Sequence, residues 1–330
     1  MKKCNIAIVG ATGLVGRKFL EIIDEYQINV GELRLFASKR SVGKEVVFQG
    51  NSYYIEELKK DCFVGINFAL FAASGSLSLE YAKQAINEGA IVIDNSSAWR
   101  MNDDVPLVVP EVNLNDVKGK KLIANPNCTT IQCVVPLAIL DKKYQIETIE
   151  YNTYQAVSGA GKKGLDDLEK EFSASESYFP YDIKATCIPQ IDAFLDDGYT
   201  KEEHKMINET RKILHSKNIK ISATCIRVPV KNSHGVSIRV VFKQDYDINL
   251  LREELSASKG IVVVDKPEKY LYPVSTIAND NDNIYIGRIR RDKVNNKGLL
   301  LYLVSDNVRK GAAANAVQIM KGIIENYDIS

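Results

Sequence analysis

Cys128 stands in Asn125-Pro126-Asn127-Cys128-Thr129-Thr130, directly ahead of the apolar run Ile131 to Leu140. Asparagine is a preferred helix cap, so the segment predicts a helix opening near Cys128, where free amide hydrogens and the helix dipole favour a thiolate over a thiol. A thiolate attacks carbonyl carbon well. Near the start of the chain, Gly10-Ala11-Thr12-Gly13-Leu14-Val15-Gly16 follows an apolar strand and opens a helical repeat. In that setting backbone amides at the helix start face a pyrophosphate. The spacing departs from the commoner Gly-x-Gly-x-x-Gly, so its position between strand and helix carries the reading. A nucleophilic thiol together with a nucleotide turn predicts covalent aldehyde chemistry. At the end of the second expected strand, where an NAD site places an acid for the ribose hydroxyl, the chain has Ser38-Lys39-Arg40-Ser41. Hydroxyls and a guanidinium suit a 2′-phosphate, which predicts NADP.

The elements that must position these groups are legible as periodicities. Asn5–Val9, Leu33–Ala37, Phe68–Ala72, Ala90–Asp94 and Lys121–Ala124 read as buried parallel strands, and Leu14–Tyr26 and Leu79–Asn87 have helical apolar spacing. Their alternation predicts an α/β fold, a Rossmann-type doubly wound parallel sheet. From Glu147 the pattern changes to longer alternating runs, Thr148–Gln155, Ala223–Pro229, Ser237–Phe242 and Leu299–Ser305. These predict an α+β domain with a mainly antiparallel sheet. The expected division is 1–127, with a C-terminal helix over about 308–330, for cofactor binding, and 128–307 for catalysis and dimerisation. Asn279-Asp280-Asn281-Asp282-Asn283 reads as a solvated loop, since it lacks the glycine and final glutamate of a calcium loop.

Composition excludes several classes. The 330 residues are 45% hydrophobic and 26% charged, ordinary for a globular protein. Lys plus Arg number 43 and Asp plus Glu 42, a net charge of +1, so no global field points to nucleic acid or an acidic membrane. Six cysteines form no Cys-x-x-Cys pair and no zinc-type spacing with histidine, which predicts reduced thiols, no metal and a cytoplasmic protein. The apolar run after Lys2 and Lys3 ends within a few residues, too short for an export signal or a membrane span.

Five ordered blocks resemble the bacterial aspartate-semialdehyde dehydrogenases: Gly10-Ala11-Thr12-Gly13, Asn95 to Arg100, Pro126 to Thr130, Tyr154-Gln155-Ala156-Val157-Ser158-Gly159-Ala160-Gly161, and Asp306-Asn307-Val308-Arg309-Lys310-Gly311-Ala312. The resemblance implies interconversion of L-aspartyl 4-phosphate and L-aspartate 4-semialdehyde with NADPH, in the shared route to lysine, methionine, threonine and isoleucine, by a homodimer or a dimer of dimers. It makes Cys128 the nucleophile, leaving a thioester after phosphate departs, and His234 an acid/base that takes the thiol proton and later protonates the hemiacetal oxygen. Gln155 would orient the reacting group. Arg227 would hold the substrate carboxylate, Glu202 its amino group, and Lys205 with Arg100 and Asn127 its phosphate. Cofactor contacts would come from Gly10, Ala11, Thr12, Gly13, Leu14, Val15, Ser38, Arg40, Ser41, Ser74 and Gly75, and from Ser158, Gly159, Gly161 and Asn307. Two departures stand out: Leu14 replaces a small residue in the glycine turn, and His204 replaces a larger apolar one.

Three alternatives stay open on the residues. N-acetyl-γ-glutamyl-phosphate reductase shares the acyl-phosphate chemistry, but its substrate has no free amine to meet Glu202. Glyceraldehyde-phosphate dehydrogenase sets its thiol in a different histidine context and usually takes NAD. A non-catalytic nucleotide sensor would not need intact Cys128, Gln155 and His234.

Overall fold

The computed structural model describes residues 2–327. These divide into two compact units, one running up to Asn127 and resuming at Ala312, the other spanning Cys128–Gly311. The C-terminal stretch thus rejoins the first unit at 312, slightly later than the expected 308, and residues 328–330 of that expectation lie outside the described residues.

The first unit holds a seven-stranded sheet in the order β3-β4-β2-β1-β5-β6-β7. Its strands are β1 (Cys4–Val9), β2 (Val30–Phe36), β3 (Glu45–Phe48), β4 (Asn51–Glu56), β5 (Phe68–Phe71), β6 (Ile91–Asp94) and β7 (Leu122–Ala124). All pair in parallel except the β3/β4 hairpin. The apolar strands are buried on both faces, as a helix-covered parallel sheet requires: Ile6, Ala7, Ile8 and all of β5 are inaccessible. Helix α1 (Leu14–Glu25) buries Phe19, Leu20, Ile22 and Ile23 on one face, and α2 (Gly75–Asn87) and the short α3 (Pro110–Asn113) follow. The C-terminal helix Ala314–Asn326 packs against α1, burying Val317, Ile319 and Met320. Each such side chain contributes roughly 1.5–3 kcal/mol. After β1 the chain crosses to β2 on one side, while β5 lies on the other. The carboxyl ends of β1 and β5 therefore form the crevice where such sheets bind ligands.

The second unit holds a six-stranded sheet, β11-β12-β13-β10-β8-β9. Its strands are β8 (Ile146–Gln155), β9 (Lys220–Arg227), β10 (His234–Phe242), β11 (Ile261–Val263), β12 (Ile284–Arg291) and β13 (Gly298–Ser305). The central pairs are antiparallel, whereas β9 on β8 and β11 on β12 are parallel, because each of those outer strands arrives by a helical crossover. Helices α4 (Cys128–Tyr144) and α6 (Lys201–Ile213) lie side by side, α4 against β8, β10 and β13 and α6 against β9. The others are α5 (Gly161–Glu169), α7 (Ile248–Ala257) and α8 (Ser275–Ala278).

Three expectations need correction. β9 runs over Lys220–Arg227 and β10 begins at His234, three residues before the expected Ser237, so His234 belongs to the sheet. The expected helix from Arg309 begins as a π-helical turn, Arg309–Ala313, with the Gly311 amide bonded to the Asp306 carbonyl at 2.9 Å. The Asn279 to Asn283 loop is anchored rather than simply solvated: Asn279 accepts from the Ser233 hydroxyl at 2.6 Å and Asp282 pairs with Arg309 at 2.6 Å.

Candidate active site

Strand register assembles the second unit's cluster. Gln155 and Arg227 are partners at the ends of parallel β8 and β9, and Tyr154 pairs with Gly235, which sets His234 at the same end of antiparallel β10. Residues far apart in sequence thus meet at one edge of three adjacent strands. All three are buried: Gln155 is 1% exposed, Arg227 5% and His234 0%.

Ala156, the residue after β8, ties two of them together through its backbone. Its N–H donates to His234 Nδ1 at 3.0 Å, and its carbonyl accepts from Arg227 Nη1 at 2.6 Å. His234 Nε2 and Arg227 Nε are buried and have no hydrogen-bond partner among the described residues. Buried donors of this kind are rare in folded proteins and mark sites that meet an acceptor from outside. Burial, then the adjacent Arg227 charge, push the His234 pKa well below its ordinary value. Burial likewise lowers Arg227, a loss that Glu202 partly offsets.

Gly159 completes this edge. A Cβ there would lie 2.9 Å from Arg227 Nη1 and 3.2 Å from His234 Nε2, so glycine keeps both groups uncovered. A cavity of about 470 Å³ opens on Arg227, lined by Tyr178, Phe179, Ile188, Gln190 and Asp192. Arg227 lies over the Phe179 ring, 5.9 Å from its centre.

Glu202 and Lys205 sit in the first turns of α6, whose start is fixed by a capping box between Thr200 and Glu203. Lys205 donates to Glu202 at 3.1 Å, as the three-residue spacing predicts, and also to Asp192 at 2.9 Å. Burial alone would lower the Lys205 pKa, but the two carboxylates outweigh it and leave it raised. Gln155 donates to Glu202 at 3.2 Å and accepts from Thr153 at 3.0 Å, so its amide orients the acid. Asp192 gave no sequence signal, because its link to Lys205 spans a loop.

Cys128 is the first residue of α4 and is half-buried. A Cβ on Gly311 would come within 3.0 Å of Cys128 Cβ, so the π-helical turn packs directly against the thiol's residue. The other cysteines differ from it. Cys4, Cys62, Cys133 and Cys225 are buried, and burial raises each thiol, Cys4 to about 11, whereas Cys187 is exposed on a loop.

The cofactor candidates fall in both units. In the first, Gly10 has φ +90°, and a Cβ there would lie 2.3 Å from the Ala72 carbonyl oxygen. Gly16 would clash with the Gly10 carbonyl at 2.2 Å. Gly13 precedes α1 with no side-chain cap and no acid in the first turn, leaving the helix-start amides to an anion. Ala11 is buried, Thr12 and Val15 are half-buried and Leu14 is exposed. Ser74 caps α2 and Gly75 opens it, at the end of β5. Ser38 and Arg40 are exposed beyond β2, with Ser41 buried beneath them and no carboxylate among residues 38–41. These features fit a dinucleotide, whose nicotinamide supplies or takes a hydride when bound. Also in this unit, Arg100 donates to the carbonyls of Asn125 at 3.0 Å and Asn95 at 2.8 Å, bracing the ends of β6 and β7, and Asn127 is 6% exposed. In the second unit Ser158 and Asn307 bond each other at 2.9 Å in a buried polar net, and Gly161 opens α5 with φ +68°.

Fold and cluster together define a semialdehyde dehydrogenase. That family's NAD binding domain matches residues 5–120, and its dimerisation domain matches 137–310. An aspartate-semialdehyde dehydrogenase of Aquifex aeolicus is 48% identical over 97% of this chain and 98% of its own length. The crystal structure of aspartate semialdehyde dehydrogenase II from Vibrio cholerae has a TM-score of 0.95 at 40% identity, covering 99% of this chain and 100% of its own. The same Vibrio enzyme complexed with ASA gives 0.94 at 39%. The chain belongs to the aspartate-semialdehyde dehydrogenase family, which sets aside the reductase and sensor alternatives.

Proposed function

We propose that this oxidoreductase reduces L-aspartyl 4-phosphate to L-aspartate 4-semialdehyde, using NADPH and passing through a thioester on Cys128. The observation that carries the reading is the pair of buried, unpartnered donors, Arg227 Nε and His234 Nε2, in the unit whose longest helix starts at a half-buried thiol. An arginine fork suits the substrate carboxylate, and His234 suits the oxygen of the reacting carbonyl. Glu202, held by Gln155, is assigned to the substrate ammonium. Lys205 is assigned to phosphate, and Arg100 and Asn127 of the first unit keep the phosphate role that the resemblance gives them. NADP rather than NAD is supported by exposed Ser38 and Arg40 with no carboxylate among residues 38–41. Ser158, Gly159, Gly161 and Asn307 keep their assignment to the cofactor. A place in the synthesis of lysine, methionine, threonine and isoleucine follows from the substrate.

A homodimer is supported by the dimerisation-domain match, and six cysteines outside any disulfide suit a reducing, cytoplasmic setting. No helix among the described residues is long and apolar enough to cross a membrane. Phosphate-dependent NADP reduction should be measured with aspartate semialdehyde, with its N-acetylated longer homologue and with glyceraldehyde 3-phosphate. Turnover with aspartate semialdehyde alone is expected, abolished in Cys128→Ala. Activity only with another aldehyde would reject the substrate.

A further inference from the structure

We propose that Asp192 sets how much phosphate the enzyme needs, by holding the Lys205 ammonium until an incoming oxyanion takes its place. The inference rests on the assignment of Lys205 to phosphate given above. Asp192 would be a residue that tunes the phosphate requirement rather than one that touches the reacting atoms.

The fold places this carboxylate with care. Ile188, ahead of it, is joined to Arg227 by two backbone bonds of 2.9 and 2.8 Å, and directly after it the Ala193 carbonyl accepts from the Lys201 amide at 2.9 Å. The segment is thus strapped from the end of β9 to the start of α6. Asp192 takes φ +69°, a left-handed conformation that aspartate adopts more readily than most residues. Its Oδ1 accepts from the Ala193 amide at 2.8 Å, which leaves Oδ2 for Lys205 at 2.9 Å. It lines the same cavity as Arg227, where a ligand can reach it.

The balance of charge points to competition. Two carboxylates, Glu202 and Asp192, face one ammonium, so the cluster carries an excess of negative charge. The third hydrogen of that ammonium is open to an oxyanion, but a phosphate there meets two anionic neighbours around a single cation. One of them has to leave. Glu202 is the poorer candidate: its side chain is 6% exposed, and the oxygen that does not meet Lys205 accepts from Gln155 at 3.2 Å. Asp192 is 38% exposed, so water can receive the oxygen it frees, and an ion pair so open to solvent is weak enough to exchange. Burial alone would raise the Asp192 carboxyl, but Lys205 and the Ala193 amide outweigh it and hold the pKa below the ordinary value, so the competitor is ionised at neutral pH.

The test is the KM for phosphate in aldehyde oxidation, measured on the full-length enzyme at saturating aspartate semialdehyde and NADP. Asp192→Asn removes the charge, and asparagine adopts the left-handed backbone as readily as aspartate. The KM for phosphate should fall about 10-fold, with kcat and the KM for aspartate semialdehyde within about 3-fold of wild type. Asp192→Gly, for which φ +69° is free of strain, takes its place should the asparagine variant fail to fold. A phosphate KM within about 3-fold of wild type, or a raised one, overturns the proposal, because a carboxylate that merely props Lys205 in position weakens phosphate binding when it is lost. A second arm locates the effect on the ammonium. In a Lys205→Ala background, Asp192→Asn should leave the phosphate KM where it stands. An equal fall in that background means that Asp192 repels phosphate without holding Lys205, which overturns the proposal as well. The assignment beneath it fails separately, through wild-type turnover that needs no phosphate or a Lys205→Ala enzyme with the wild-type phosphate KM.

Discussion

At the nucleotide turn of the first unit, Gly10 and Gly16 leave no room for a side chain and the amides opening α1 stay uncapped. At the strand ends of the second, Arg227 and His234 are almost wholly buried and are held by the main chain of Ala156. One region offers an anion the partial charges that the helix already owns. The other takes an arginine and a histidine out of water, which is costly unless their donors find acceptors. Backbone recognition should therefore fail by steric collision, and side-chain recognition by loss of a single bond. The largest expected effect lies in the second region. Cys128→Ala should lower phosphate-dependent aldehyde oxidation by about 10⁴-fold or more while leaving the unfolding midpoint in place. Residual turnover near wild type would remove the covalent step.

Arg227→Lys keeps a charge and loses the fork, and should cost about 10²–10³-fold in kcat/KM, mostly as a raised KM for aspartate semialdehyde. An unchanged KM would detach Arg227 from the carboxylate. The first region's counterpart is Gly10→Ala, whose new Cβ collides with the Ala72 carbonyl at positive φ. It should destabilise the fold by about 2–4 kcal/mol in urea unfolding. A shift within about 0.5 kcal/mol would show that the turn has slack. Arg40→Ala, on the exposed loop after β2, should reduce the preference for NADP over NAD about 10-fold with no change in stability. Equal preference before and after would refute the 2′-phosphate contact.

The smallest expected effect is a pH slope. Because folded His234 resists protonation, the unfolded chain binds the extra proton once pH falls below its ordinary pKa of about 6.5. Stability should then decline by up to about 1.4 kcal/mol per pH unit below that point, and His234→Gln should flatten the decline. Parallel slopes in the two proteins would mean that other groups dominate acid unfolding.

The two regions also differ in how far sequence alone reveals them. The nucleotide turn is read from seven consecutive residues, so periodicity and glycine spacing located α1 to within a residue of its end at Glu25. The β3/β4 hairpin escaped notice because its strands are short and half-exposed, and its turn, Gln49-Gly50, relies on two positive φ values. In the second region the residue types were legible through resemblance, but not their wiring. That wiring depends on register between strands separated by some 70 residues, with Gln155 opposite Arg227, and on the true start of β10 at His234. The bond from the Gln155 amide to Glu202 had no signal in the sequence. Nothing in a string of letters marks Ala156, since its contribution is an amide hydrogen and a carbonyl common to every neighbour.

That anonymity has an evolutionary side. A fastening made from peptide atoms survives any exchange of side chain small enough to fit, so serine or cysteine at 156 should pass unnoticed in a mutational scan. Among the small substitutions, proline, which lacks the hydrogen, would expose how much hangs on that position.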